Sequence, residues 1–408
     1  MTRRILIRAT GAARPGQLAG LGRVLAKSGA RLLDINQSVT FGLVSLEALV
    51  GLDKEADMEA ALSDAGDLLG LDVQAIQVSA DDYQHWSAEA SQPRLILTLL
   101  APRLPAGILA EVGALTAEYG LTVELIHRLS GREPLDGEAL PYGACVECWL
   151  RGEEVDLESL REKALALGAM HGVDIAIQED SIWRRHRRLI CFDMDSTLIQ
   201  AEVIDELARH HGVYDEVAAI TERSMRGELD FQQSFRERMA RLKGLDEAVL
   251  AEIAENLPLM DGIERLMTHL KRLGYRTAIL SGGFTYFARH LQEKLGFDEI
   301  HANELVIRGG KVTGEVSEPI LDADRKATLL REIAAREGLR MEQTIAVGDG
   351  ANDLKMLATA GLGIAYRAKP LVRSRARQSI STLGLDAVLY LIGYRQTDLE
   401  DADPNDAR

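Results

Sequence analysis

Apolar and polar residues alternate over 3–9. They then recur at helical spacing from about Pro15 to Ser28, with Pro in the first turn and Gly29 as a stop. Residues 31–38 and 42–51 return to a strand pattern, 55–70 carry an amphipathic helix pattern, and 73–79 read as a last strand. The same order recurs as strand 94–100, helix 105–119, strands 121–128 and 144–151, helix 156–168 and strand 173–178. Short echoes mark a duplication: Arg4-Ile5-Leu6-Ile7 with Arg94-Leu95-Ile96-Leu97, Pro15 with Pro105, and Gly22 and Gly29 with Gly113 and Gly120. A period of roughly 90 residues is that of a duplicated domain and not of a short-unit solenoid. The order βαββαβ predicts a four-stranded antiparallel sheet with helices on one face, so residues 1–86 and 93–180 read as two α+β ferredoxin-like domains.

The pattern changes at 189. Short apolar strands at 189–192, 275–280, 343–347 and 362–365 alternate with helical stretches, one of them over 262–273. This is α/β grammar with a Rossmann-like parallel sheet, expected over 189–396. Ile307 to Val312 reads as a hairpin turning on Gly309-Gly310. The first two strands are too far apart for a simple crossover, which places a helical insertion at about 205–258. The basic run Trp183-Arg184-Arg185-His186-Arg187-Arg188 reads as a solvated linker over 181–188, and the Asp-rich end over 397–408 as a disordered tail.

Composition narrows the function classes. The chain of 408 residues is 46% hydrophobic and 27% charged, ordinary values for a globular protein with its own cores. Acidic residues outnumber basic ones 63 to 47, a formal charge of -16, which argues against nucleic acid and anionic membrane as partners. The basic start stops being apolar at Arg8, so it reads as a strand and not a signal peptide, and no apolar run is long enough to span a bilayer. A cytoplasmic protein is expected, and three cysteines agree with a reducing compartment. Cys145 and Cys148 form a C-x-x-C inside a strand pattern, where positions three apart face opposite sides. That spacing suits structural residues better than a redox pair.

The chemistry gathers at predicted strand ends. Asp193 and Asp195 follow the first buried strand, and two carboxylates so close need a cation or a shared proton. Oxygen-only ligands favour Mg²⁺. Asp349 stands past the third strand between Gly348 and Gly350, with Asp353 in reach from the next helix. Ser281-Gly282-Gly283 closes the second strand and offers a hydroxyl and bare N–H groups to an anion, while Lys326 supplies a point charge. Parallel sheets bind ligands at that edge.

These four clusters, Asp193-Met194-Asp195-Ser196-Thr197, Ser281, Lys326 and Gly348 to Asp353, are similar to the motifs of the haloacid-dehalogenase-like phosphatases. The longer run Phe192 to Glu202, with Arg238 and Ser281 to Phe284, resembles the branch of that superfamily acting on phosphorylated serine, over about 188–395. The resemblance implies an enzyme hydrolysing O-phospho-L-serine to L-serine and phosphate, the last step of serine biosynthesis. It implies Asp193 as nucleophile, through an aspartyl-phosphate, and Asp195 as acid and then base. It implies Mg²⁺ on Asp193, Asp195 (through its carbonyl) and Asp349, with Asp353 orienting the set. Ser281, Gly282, Lys326 and Asn352 are implied at the phosphate. Glu202 is implied at the substrate ammonium and Arg238 at its carboxylate, with Met225 and Phe231 as walls. On the residues alone, Arg236, Arg238 and Arg241 also read as one solvated helix face.

The leading pair resembles the ACT domain, an amino-acid-sensing module, on its plan and on the turn Ala13-Arg14-Pro15-Gly16. That resemblance implies Gly11, Arg14, Asp34 and Asn36 as contacts for an effector such as serine, and a homodimer or higher homo-oligomer. The second copy has Pro105-Ala106 at the turn and His127 near the Asn36 position, and reads as a pairing element that binds nothing. A bare scaffold without ligand is the plainer reading of both copies. For the whole chain two alternatives stand: a phosphatase or phosphotransferase using another ester or acceptor, such as homoserine, and a non-catalytic amino-acid sensor.

Overall fold

A computed structural model describes residues 3–52, 62, 66–89, 91–134 and 140–400. The chain forms two compact units, Met1–Gln92 and Pro93–Arg408.

In the first unit, strands β1 (Arg3–Ala12), β2 (Arg31–Thr40), β3 (Leu43–Leu52) and β4 (Leu71–Val78) make one antiparallel sheet in the order β2-β3-β1-β4. The alternation read in the sequence puts Ile5, Ile7 and Ala9 on the buried face, against Leu21 of the helix Gln17–Lys27. Gln17 fixes the turn before that helix: its amide donates to the carbonyls of Ala12 and Leu69, and its oxygen accepts from the N–H of Arg14. The helix expected over 55–70 falls largely outside the described residues. A helix at Ala80–Glu89 has no buried residue and hence no apolar stripe to betray it.

The second unit opens with the same topology. Strands β5 (Arg94–Ala101), β6 (Thr122–Arg128), β7 (Ala144–Arg151) and β8 (Asp174–Glu179) order as β6-β7-β5-β8. Here the central strands are covered on both faces. Leu97, Leu99, Cys148, Leu150 and Ile177 pack with the helices Gly107–Glu118 and Leu157–His171. Leu100, Leu129, Cys145 and Ala176 belong instead to the core of the parallel-sheet region. Cys145 and Cys148 thus lie on opposite faces, both free and buried, and burial raises both thiols, Cys148 to about 11.

The parallel sheet has six strands in the order β11-β10-β9-β14-β15-β16. They are β9 (Leu189–Phe192), β10 (Arg276–Phe284), β11 (Glu299–Asn303), β14 (Thr344–Gly348), β15 (Leu362–Tyr366) and β16 (Gln378–Ile380). The hairpin β12 (Leu305–Arg308) and β13 (Lys311–Val316) turns on Gly309 and Gly310, both at positive φ, as a two-residue loop demands. The insertion after β9 is four helices, Val203–His211, Tyr214–Met225, Phe231–Arg241 and Ala248–Asn256. Sheet order places the carboxyl ends of β9, β10 and β14 side by side, so the loops after them share one crevice.

Two expectations are corrected. The basic run is only partly solvated: Arg185 and His186 are exposed, but Arg184 and Arg187 are buried at the seam between the β5–β8 sheet and the parallel-sheet region. Arg184 pairs with buried Glu147 and donates to the carbonyls of Leu391 and Tyr390, and Arg187 donates to the carbonyl of Arg184 and to Gln178. The end of the chain is also ordered further than expected: Gln396–Glu400 is helical with Leu399 buried, while 401–408 lie outside the described residues.

The seam yields a prediction. Glu147→Ala leaves the Arg184 charge buried without its carboxylate, and should destabilise the second unit by about 3–5 kcal/mol in urea unfolding. Replacing both residues with Met should recover most of that loss. A Glu147→Ala chain as stable as wild type would mean the seam is not formed.

Candidate active site

The loop after β9 is bent so that both of its acids line one cavity. Ser196 takes the left-handed conformation, φ 55°, a strained choice for a residue with a Cβ. Its hydroxyl donates to Glu202 at 2.9 Å. Asp193 Oδ1 accepts the N–H of Met194 at 2.7 Å. Asp195 Oδ1 accepts from the N–H of Val203 at 3.2 Å, at the start of the helix Val203–His211. Burial, then the charges of Glu202 and Asp193, push the Asp195 carboxyl well above its ordinary range. A carboxyl so placed keeps its proton to a higher pH than a free one.

Two glycines are required by close approach. A Cβ on Gly283 would lie 2.6 Å from Asp195 Oδ2, and one on Gly348 would lie 2.5 Å from Asp353 Cγ. Behind the cavity wall, Lys326 is fully buried, its Nζ 2.8 Å from Asp193 Oδ1 and 2.7 Å from Asp353 Oδ1. Burial opposes its charge, but the two carboxylates more than offset this and raise its pKa.

Asp193, Asp349 and Asp353 bring carboxylate oxygens within 4.8 Å of one another. Thr197 donates to Asp349 at 2.9 Å, and the N–H of Gly350 to Asp353 Oδ2 at 2.9 Å. Burial, then the neighbouring acids, raise Asp349 to about 8; burial and Asp193 raise Asp353 to about 7. Three crowded acids with oxygen donors alone fit a hard divalent cation. The Asp195 side chain is outside this group.

The cavity, of about 730 Å³, is lined by Asp193, Asp195, Glu202, Met225, Phe231, Arg238, Gly282, Asp349 and Asn352. Nine expected residues therefore share one wall. Ser281, Lys326 and Asp353 sit just behind it, fully buried, and the Ser281 hydroxyl accepts the N–H of Gly283 at 2.9 Å. The three arginines of the helix Phe231–Arg241 separate. Arg236 and Arg241 are exposed and paired with Glu318 and Glu216, whereas Arg238 turns inward with its Nε buried and without a hydrogen-bond partner. Phe231 and Phe235 stack at 6.1 Å and close the apolar side with Phe284.

Sequence reasoning missed Thr197, Asn303 and Lys369. Thr197 was inside a quoted motif but had no role. Asn303 donates to the Gly282 carbonyl at 2.8 Å and accepts from Leu321 at 2.7 Å, and so holds the glycine loop. It lies on β11, an edge strand with no clear apolar pattern. Lys369 lines the cavity from the loop after β15, and the rule that ligands sit at parallel strand ends could have found it.

In the first unit the four expected contacts do not share a cavity. Arg14 lines a hollow of about 320 Å³ with Gly16, Gln37 and Val39. Asp34 and Asn36 line another, of about 260 Å³, with Tyr83 and Trp86. Neighbours along β2 point to opposite faces, so Asn36 and Gln37 cannot serve one hollow. Gly11 serves packing: a Cβ there would lie 2.8 Å from the Gly70 carbonyl.

The haloacid dehalogenase-like hydrolase profile matches residues 187–361 and the ACT domain profile residues 3–75. A phosphoserine phosphatase of Streptomyces coelicolor is 41% identical over 404 residues, covering 98% of this chain and 94% of its own. The chain belongs to the phosphoserine phosphatase family. A second family member, from Mycobacterium tuberculosis, is 39% identical over 407 residues, 98% of this chain and 96% of its own. Among solved structures, a probable phosphoserine phosphatase from Vibrio cholerae matches with a TM-score of 0.57 and 34% identity, over 74% of this chain and 87% of its own. A hydrolase of the same superfamily from Salmonella enterica matches at 0.61 and 31%, over 73% and 99%. The phosphoserine phosphatase family places a phosphatase on this α/β region, behind an ACT domain. Phosphatases of this superfamily are generally metal-dependent, and the three-aspartate group has the donors for an ion. Among the described residues, no helix is long and apolar enough to cross a membrane.

The crowded acids set a pH dependence. Asp349 and Asp353 bind protons more tightly folded than unfolded, where a carboxyl titrates near about 4. The stability they lend is complete below that value and is lost as pH rises through about 7 and about 8. In EDTA the melting temperature of the second unit should therefore fall between pH 5 and about 8.5. A divalent cation should restore more at pH 8 than at pH 6. A restoration independent of pH would show that these carboxylates do not bind the ion.

Proposed function

We propose that the chain hydrolyses O-phospho-L-serine to L-serine and phosphate, the last step of L-serine biosynthesis, in the cytoplasm. The observation that carries the substrate is Arg238: a half-buried arginine whose Nε is buried and unpartnered, lining the same cavity as Glu202 and Asp193. An amino-acid ester brings a carboxylate to the one and an ammonium to the other.

Asp193 is the nucleophile. Its Oδ1 is held by the Met194 N–H and by Lys326, and Oδ2 is assigned to the attack on phosphorus. As that bond forms, the bond from phosphorus to the seryl oxygen breaks. Asp195 passes its proton to the leaving oxygen, then takes one from the water that attacks the aspartyl-phosphate, which frees Asp193 and phosphate. The N–H of Gly282, the Ser281 hydroxyl, Asn352 and Lys326 hold phosphate oxygens. Phe231 covers the seryl side against water, while Met225 lines the cavity from its solvent-exposed rim. Mg²⁺ is the ion proposed, on Asp193, the Asp195 carbonyl and Asp349 with Asp353 beside them. When bound it supplies the positive charge that lets a carboxylate approach a phosphate dianion.

Phosphate release from O-phospho-L-serine, with Mg²⁺ or EDTA and beside phosphothreonine and a sugar phosphate, tests the reading. Release should need Mg²⁺, favour phosphoserine and vanish in Asp193→Asn. Arg238→Ala should raise KM about 10- to 100-fold, the worth of hydrogen bonds to a charged group, and leave the slow turnover of sugar phosphate unchanged. Selectivity for another ester would overturn the assignment of Glu202 and Arg238.

The first domain is proposed as the sensing and pairing module, with serine as effector and a homodimer as the assembly. In support, it matches the ACT profile, and Leu32, Ile35 and Val39 stand exposed on the edge strand β2. Arg14→Ala and Asn36→Ala, made singly in the full chain, should show which hollow takes serine: one should weaken serine inhibition and the other should not. Unchanged inhibition in both would put the effector elsewhere. A chain starting near 184 does not serve this test, since it strips Leu100, Leu129, Cys145 and Ala176 from the catalytic core.

A further inference from the structure

The seam between the β5–β8 sheet and the catalytic region contains a cavity of about 210 Å³, away from the active site and wholly within the second unit. One wall is the end of the helix Leu157–His171 and the start of β8; the other is Arg373 and the segment around β16.

The polar groups of this cavity are of two signs. Asp174 is buried, and its Oδ2 accepts the N–H groups of Ser381 and Thr382 and the Thr382 hydroxyl, at 2.7–2.8 Å. Oδ1 takes none of these bonds. Arg373 also lines the cavity, with its Nε buried and without a hydrogen-bond partner. Ser379 and Ser381, whose hydroxyls are 3.3 Å apart, line it as well. A buried N–H donor without an acceptor is costly, and a carboxylate is the acceptor a guanidinium prefers. A lone inorganic anion would meet Asp174, which repels it. A molecule carrying both an ammonium and a carboxylate satisfies Asp174 and Arg373 together, and a cavity of this size suits a small one.

We propose that this seam is a binding site for a small neutral α-amino acid, with Arg373 on its carboxylate and Asp174 on its ammonium. The site is separate from the hollows of the first domain. It has a short route to catalysis: Arg373 lies in the helix Pro370–Arg375, and Lys369, Leu371 and Val372 of the same segment line the active-site cavity. An amino acid bound at Arg373 holds that helix against β8 and biases the wall the substrate meets.

Labelled L-serine in equilibrium dialysis tests this on the full chain, carrying Arg238→Ala to remove the active-site clamp. Adding Arg373→Gln should remove one site per chain, or weaken it at least about tenfold, and Asp174→Asn should do the same. Adding Arg14→Ala or Asn36→Ala should leave that site in place. Glycine should displace the serine, and acetate, methylamine or inorganic phosphate alone should not. In the otherwise wild-type chain, Arg373→Gln should keep turnover of phosphoserine within about twofold and reduce the serine inhibition that excess substrate does not relieve, leaving the share that Arg14→Ala or Asn36→Ala removes. Equal serine stoichiometry with and without Arg373→Gln overturns the site. Displacement by phosphate as effective as by glycine overturns the amino-acid assignment. A site lost with Arg14→Ala or Asn36→Ala instead assigns the binding to the first domain.

Discussion

Lys326 is a cation with no solvent contact, fixed between Asp193 and Asp353. Much of the catalytic region follows from that placement. Three aspartates brought within reach of one another would repel strongly in a buried site. One ammonium offsets part of that charge and fixes the direction of the Asp193 carboxylate. The remainder gives the site its appetite for a divalent cation, and burial first, with that charge second, raises Asp349 to about 8 and Asp353 to about 7 in its absence. Burying an ion pair is costly unless every lone pair is used. The neighbours supply the use: Met194 N–H on Asp193, Gly350 N–H on Asp353 and Thr197 on Asp349. Glycine at 283 and 348 is the corresponding steric condition, because a side chain there would occupy the space of the Asp195 and Asp353 carboxylates respectively.

The second βαββαβ block is part of the enzyme's interior as much as an appended module. Its sheet gives one face to its own helices and the other to the catalytic core, which is why β5 and β7 are apolar on both sides and why Cys145 and Cys148 answer to different cores. Sheets covered on both faces lose the polar alternation that marks a half-exposed strand. The side-chain bonds across the seam are the kind that fix orientation. Gln378 both donates to and accepts from the backbone of Ile177, and Asp174 gathers three donors of the Ser381-Thr382 turn.

This separates what the sequence could tell from what it could not. The ends of β9, β10 and β14 were legible, because a buried apolar strand followed by acids or glycines is a local signal and the sheet then brings those ends together. The edge strands β11 and β16 were not: they are short and carry Glu, His, Asn, Gln and Ser, residues that only tertiary pairing recruits into a sheet. Asn303 was missed with its strand. Charge patterning misled at Arg184 and Arg187, since a run of arginines looks solvated unless one knows that Glu147 and the free carbonyls of Tyr390 and Leu391 await them. In the first domain the fold was legible and the ligand geometry was not. A β-bulge between Leu32 and Asp34 sets the phase of β2, and that phase decides which hollow Asn36 serves.

Selectivity is stored in the free enzyme by Arg238 as the proposed carboxylate clamp. Its two helix neighbours satisfy themselves with surface carboxylates, while its own Nε is buried and waits. Burial lowers the stability of its charge, and Glu202 and Asp205 only partly compensate. The reciprocal strain is felt by Glu202, whose carboxyl burial raises despite the Ser196 hydroxyl. A substrate with carboxylate and ammonium relieves both at once. A phosphate ester lacking either group leaves one buried charge unanswered, and a site built around hydrogen bonds discriminates against such analogues far more strongly than an apolar pocket can. On the proposed assignment the specificity of the site lies in the insertion and the chemical power in the strand ends, joined where the Ser196 turn brings Glu202 to the loop of Asp193 and Asp195.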